Sequence, residues 1–99
     1  MTHTDAMELV LGKNNRMQRK VANNTTARIL PNGSVAFQLH STDVVVIHDD
    51  DSATLRTGGW NTPTTKERIN RYSPVYVHQK KGEWYLNDGT PFEDGMEVK

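Results

Sequence analysis

The chain has 99 residues, 34% of them hydrophobic, and no cysteine; this length supplies one modest core, and the missing thiols exclude disulfide scaffolds, thiolate metal sites and cysteine nucleophiles. The longest apolar run, Val44–Ile47, is far short of the roughly 20 residues a helix needs to span a bilayer, and Asp5 and Glu8 stand where a secretory signal carries positive charge, so a cytoplasmic protein with no membrane partner is expected. Twelve basic and twelve acidic residues give a net charge of zero and no global field towards nucleic acid or membrane.

In chain order, Leu9-Val10-Leu11 suits either a strand or a helical turn, and Lys13–Lys20 has no clear period. Residues 1–20 therefore read as a flexible basic arm ahead of a single small α+β domain, 21–99. Thr25–Leu30, Pro31-Asn32-Gly33 and Val35–Leu39 predict a hairpin, because Asn and Gly tolerate positive φ and Val35, Phe37 and Leu39 share a parity. The four β-branched residues Val44–Ile47 predict a strand covered on both faces. Asp49–Ser52 then turns the chain, and Ala53–Thr57 returns as a short strand that Gly58-Gly59 breaks.

A helix at about 64–72 follows. Pro63 sets its start, Thr64 and Glu67 have capping-box spacing, Ile69 and Tyr72 face inward, and Ser73-Pro74 ends it. Val75–Gln79 and Trp84–Leu86 make another hairpin, and Asn87-Asp88-Gly89 turns the chain towards Phe92 and Met96. The expected fold is α+β, a small antiparallel β-sheet of about five or six strands with one short helix on one face. Such a sheet leaves edges through which a homodimer can form.

Catalytic chemistry is thinly represented. His3, His40, His48 and His78 have no zinc-motif spacing, and His48-Asp49-Asp50-Asp51 lacks the alternating acids and glycine of a calcium loop, so no metal site is expected. Ser34, Ser41, Ser52 and Ser73 lie in no nucleophile elbow. His40 and Asp43 flank a short bend, where a histidine satisfied by loop backbone is the commoner arrangement. No cofactor motif is present, and no catalytic residue is expected.

The densest stretch is Arg56–Arg68, which joins a strand through two glycines to a helix N-terminus, where free amides and the dipole favour an anion. Arg56, Lys66 and Arg68 would add charge, Thr62, Thr64 and Thr65 hydroxyls, and Trp60 a stacking face for a ligand or partner. The competing reading is structural: the glycines permit a sharp turn, the threonines cap the helix, and Trp60 is a core anchor on Ile69 and Tyr72. A second surface is basic, with Lys13, Arg16, Arg19, Lys20 and Arg28 for nucleic acid and Tyr76, Trp84 and Tyr85 as stacking platforms. Against it, aromatic residues of a small sheet commonly form its core, and the neutral total charge disfavours strong non-specific binding. The charge alternates along the chain, +3, −4, +5 and −4 over residues 1–40, 41–54, 55–81 and 82–99. Such blocks either neutralise one another across a sheet or separate onto two faces.

Three strings, Leu39–Val45, Thr57–Asn70 and Gly82–Tyr85, resemble small proteins encoded by tailed bacteriophages. The resemblance covers roughly residues 21–86 and implies a phage genome as the source and no particular reaction. It favours a non-catalytic binding protein, in the cytoplasm of an infected bacterial host, that modulates a host component by occupying it. The expected partner is a host protein. The alternative is a nucleotide, phosphate or nucleic-acid binder using the Gly-Gly-Trp junction and the basic arm.

Overall fold

The computed structural model describes residues 1–12 and 15–99. The elements are α1 (His3–Leu11), β1 (Gln18–Ala22), β2 (Thr25–Ile29), β3 (Val35–Leu39), β4 (Thr42–Ile47), β5 (Ala53–Leu55), α2 (Pro63–Tyr72), β6 (Val77–Lys80), β7 (Glu83–Leu86) and β8 (Met96–Val98). Six strands form one sheet in the order β1-β2-β3-β4-β5-β8, with every described pairing antiparallel, and β6 and β7 form a separate hairpin. The α+β architecture expected from the sequence is thus observed, with a second helix and a second small sheet added.

Alternation along the strands sets the layers. Ala27, Phe37, Val45 and Leu55 are successive cross-strand partners, as are Ile29, Val35, Ile47 and Ala53, so both rows share one face. Both helices and the β6–β7 hairpin join the core on this face, contributing Ala6, Val10, Ile69, Tyr72, Val77 and Trp84. Phe37 stacks on Tyr72 with ring centroids 4.3 Å apart and planes 12° from parallel. The opposite face carries Thr26, Arg28, Gln38 and Asp43, and Arg28 grips Asp43 through two hydrogen bonds of 2.7 and 2.8 Å. Those bonds raise the Arg28 pKa above its ordinary value. Val44, Val45, Val46 and Ile47 are all buried, as their β-branched run predicts.

Residues 1–20, read from the sequence as a basic arm, hold α1 and the first residues of β1. Thr2 caps α1: its hydroxyl accepts from the Asp5 amide, Asp5 reaches back to the Thr2 amide, and Ala6 and Val10 are fully buried. His3 ties this end of the helix to the β2–β3 turn through a 2.7 Å contact with the Gly33 carbonyl, and its amide donates to Asp51.

The cap of α2 is Thr62, two residues earlier than the spacing of Thr64 and Glu67 suggests. Pro63 fills the first helical position, so the residue before it is extended (φ −101°, ψ 161°), and the Thr62 hydroxyl accepts from the Thr65 amide. At the other end Asn70 mimics a strand partner, taking the Val77 amide at 2.6 Å and donating to its carbonyl at 2.9 Å, which docks β6 on the helix.

Glu67 on α2 accepts from both Arg68 and Arg71. Arg68 also reaches the Thr25 hydroxyl at 2.8 Å and the Asn23 carbonyl, so it fastens the helix to the β1–β2 turn. Burial alone would push the Glu67 carboxyl up, but the two guanidinium groups outweigh it and hold the group below its ordinary value.

Two predictions follow from this packing. Phe37→Ala, which removes the ring at the centre of the core, is expected to cost about 3–5 kcal/mol of stability in urea denaturation; a loss of less than about 1 kcal/mol would show that the core does not depend on the stack. Because the folded chain holds Glu67 ionised more strongly than the unfolded chain does, its ion pairs stabilise fully above the unfolded pKa, about 4.3, and fade as pH falls through the lower folded value. Glu67→Gln is therefore expected to flatten the acid limb of the stability–pH curve, whereas parallel limbs in the two proteins would refute this role.

Candidate binding cleft

Three segments distant in sequence meet where β3 turns into β4. The pairing of Leu39 with Thr42 leaves a turn of His40 and Ser41, with His40 in the left-handed region at φ 56° and its amide on the Asn24 carbonyl at 2.9 Å. Histidine is among the non-glycine residues that tolerate this conformation. Next, Gln38 pairs with Asp43 and Phe37 with Val45, so Val44 is an extra residue, a β-bulge. The bulge directs Val44 into the core, and its carbonyl accepts from the Arg56 amide beyond the end of β5.

The second segment is the loop from Thr57 to Asn61. The Thr57 amide donates to Asp94 Oδ1 at 2.6 Å, the Gly59 amide donates to the Thr57 hydroxyl, and the Trp60 amide donates to the Thr57 carbonyl. Gly58 has φ +63°, and a Cβ there would lie 2.5 Å from Thr42 Oγ1, so the loop lies directly against the β3–β4 turn only because this residue is glycine. Gly58 and Gly59 together turn the chain outward and leave Trp60 67% exposed. The reading of Trp60 as a core anchor on Ile69 and Tyr72 is thereby corrected: Tyr72 packs on Phe37 instead. The third segment is the capped N-terminus of α2.

Between these segments lies a half-open cleft of about 510 Å³ whose surface is mostly carbon. Leu39 and Val44, both buried, close its base, while His40 and Trp60, both exposed, stand at its rim. The remaining wall consists of hydroxyl side chains: Ser41, Thr42 and Thr57 on the sheet side, and Thr62, Thr64 and Thr65 on the helix side. Thr57 is engaged with the Gly59 amide and Thr62 with Thr65, whereas Ser41, Thr42 and Thr64 make no side-chain hydrogen bond among the described residues.

The junction residues singled out in the sequence divide in two. Trp60, Thr64 and Thr65 line the cleft; Arg56, Lys66 and Arg68 do not. Arg56 follows Leu55, which faces the helices, so strand alternation assigns it to the other face of the sheet, where it is exposed. Lys66 is half-buried on α2, and Arg68 is engaged by Glu67, Thr25 and Asn23.

The basic set is dispersed. Arg16 and Lys20 are exposed, Arg19 bonds the Leu9 carbonyl, Arg28 is held by Asp43, and Lys13 lies outside the described residues. Of the proposed stacking residues, Tyr76 is exposed and Tyr85 half-buried, but Trp84 is buried edge-on against Phe92, with centroids 5.5 Å apart.

Sequence reasoning missed the sheet-side wall and the Asp94 brace. It also missed one polar cluster on the opposite face, where Ser34 Oγ lies 3.0 Å from His48 Nδ1, and His48 Nε2 lies 2.9 Å from Thr54 Oγ1 and 3.8 Å from Glu97. Ser34 is buried, so this cluster ties the β2–β3 turn to β4 and β5 and offers its hydroxyl to no cleft. Among the described residues no cluster of three His, Asp or Glu side chains could hold a metal ion, and no helix is long and apolar enough to cross a membrane.

The sequence model of the Kyanoviridae Gp96 protein family matches residues 3–99. The chain belongs to this family of cyanophage proteins. The phage source implied by the three strings is thus confirmed, and the match extends beyond residues 21–86 to take in α1, β1 and the acidic tail that carries Asp94. No curated protein and no solved structure matches the chain.

The cleft of this cyanophage protein gives two stability predictions. Gly58→Ala is expected to cost about 2 kcal/mol, from strain plus collision with Thr42, and Gly59→Ala, with φ +88° but open space around it, about 1 kcal/mol. Equal losses in chemical denaturation would show that Thr42 does not limit the loop. Trp60→Ala is expected to change stability by no more than about 0.5 kcal/mol, because the side chain is already in water; a loss of several kcal/mol would restore the anchor reading.

Proposed function

We propose that this cyanophage protein is a non-catalytic binding protein that works in the cytoplasm of the infected host by occupying a host component, and that the Trp60 cleft is its contact centre. One observation carries the reading: a tryptophan 67% exposed stands on a braced loop at the rim of a largely apolar cleft. Monomeric proteins seldom display large apolar side chains beside concave apolar surface without a use for them, and tryptophan is enriched among residues that dominate binding energy. Among the described residues His40 is the one ionisable side chain in the lining, a poor endowment for acid–base chemistry and a sufficient one for binding. A phage source supports a host protein as the first candidate partner.

A phosphate or nucleotide reading keeps Thr64, Thr65 and the α2 N-terminus at the cleft. It is weakened because Arg56, Lys66 and Arg68 lie outside the lining.

Native mass spectrometry of the protein purified from a cyanobacterial lysate, beside the Trp60→Ala variant, tests the proposal. The wild type is expected to retain an additional protein or ligand mass that the variant, equally stable, loses. Equal retention by both would remove the cleft as the contact centre, and turnover of a retained molecule would replace binding with catalysis.

A further inference from the structure

The walls of the cleft constrain what can enter it. Among the described residues no Asp, Glu, Lys or Arg lines it and His40, its one ionisable side chain, stands at the rim, so a charged group inside would lose its hydration with little counter-charge in return. An aliphatic ligand would offer the hydroxyls of Ser41, Thr42 and Thr64 no partner in exchange for the water it displaces from them. A sugar has the opposite mismatch, because its many hydroxyls would meet a mostly carbon surface on which only these three hydroxyl side chains are unengaged among the described residues. What fits both the carbon surface and the few hydroxyls is a flat, uncharged ring with a polar edge.

Trp60 adds the face such a ring needs. Its indole stands at the rim, mostly in water, and base–aromatic stacking is tolerant of which base is stacked. A hydroxyl both donates and accepts, so Ser41, Thr42 and Thr64 can match the mixed edge of a heterocycle whichever way its groups alternate. The volume, about 510 Å³, lies within the range of small-molecule sites, and a mostly apolar lining with a few convergent polar groups is the composition such sites have.

We propose that the cleft binds an uncharged nucleobase-class heterocycle, stacked on Trp60 with its edge at the hydroxyls of Ser41, Thr42 and Thr64. This rests on the cleft being the contact centre and names the occupant. With Arg56, Lys66 and Arg68 outside the lining, recognition stops at the base and a 5′-phosphate is expected to add no affinity, which separates this site from an anion pocket at the helix N-terminus.

Isothermal titration of the full chain with adenosine, guanosine, cytidine and thymidine, and with their 5′-monophosphates, tests it. At least one nucleoside is expected to bind, with its monophosphate no tighter and with little dependence on salt, since no phosphate contact is made. Trp60→Ala is expected to weaken binding at least about tenfold, a factor within what one stacking contact supplies. Trp60→Phe should retain most of the affinity, and Ser41→Ala or Thr64→Val should each lose up to about tenfold. A monophosphate that binds more than about tenfold tighter than its nucleoside would overturn the uncharged-ring assignment in favour of an anion site. Absence of binding by all four nucleosides at about millimolar concentration would overturn it outright. In that event a protein still retained by the wild type and lost by Trp60→Ala would leave the binding role standing and make a side chain of that protein the occupant.

Discussion

The stack of Tyr72 on Phe37 ties the helix layer to the sheet, and the geometry of the cleft depends on it. Phe37 sits mid-row between Ala27 and Val45, fully buried, so its position is set by the strands on both sides. Tyr72 is the last residue of α2, and fixing that end of so short a helix also fixes where its first turn lies. From the same helix Asn70 docks the β6–β7 hairpin, Arg68 grips the β1–β2 turn, and Thr62, Thr64 and Thr65 become one wall of the cleft. One aromatic contact thus sets core packing and site shape together.

The parts of the fold that were legible in the sequence are those with strong local signals. Pro31-Asn32-Gly33 between alternating runs, the β-branched Val44–Ile47 and the segment opened by Pro63 each gave the right element because their local preference and tertiary role agree. The amino-terminal third was harder to read. α1 buries only Ala6 and Val10 and so has little apolar stripe, and β1 is an edge strand whose exposed Gln18, Arg19 and Lys20 show no alternation. β8 has three residues, and its place beside β5 is a long-range choice invisible to any window. The cleft was half legible, for the Thr57–Thr65 side announces itself by composition. The Leu39–Val44 side depends on a bulge that four β-branched residues conceal, and the direction of Trp60 depends on two glycine φ angles.

Charge shows how far composition alone can mislead. The basic and acidic blocks do meet, Arg28 from one block with Asp43 from the next, but Arg68 and Arg71 are satisfied by Glu67 within their own segment. The Arg71–Glu67 pair, the most exposed of these, adds the least stability. The pairing also directs side chains, because Arg68, one of the three junction cations, is turned towards the β1–β2 turn. A cleft that looked electropositive in composition has none of the three junction cations, Arg56, Lys66 and Arg68, in its lining.

The brace between Thr57 and Asp94, with the Gly95 amide on the Leu55 carbonyl, bears on the timing of folding. From β1 to β5 every strand pairs with its predecessor, so that meander can zip up through short loops, whereas the brace joins residues 37 apart. Closing so long a loop carries an entropic cost that neighbouring hairpins avoid. The loop bearing Trp60 is therefore expected to be secured after the meander and to loosen before its centre. Opening of the β5–β8 seam would release the Thr57–Asp94 brace while the β2-β3-β4 centre stays closed.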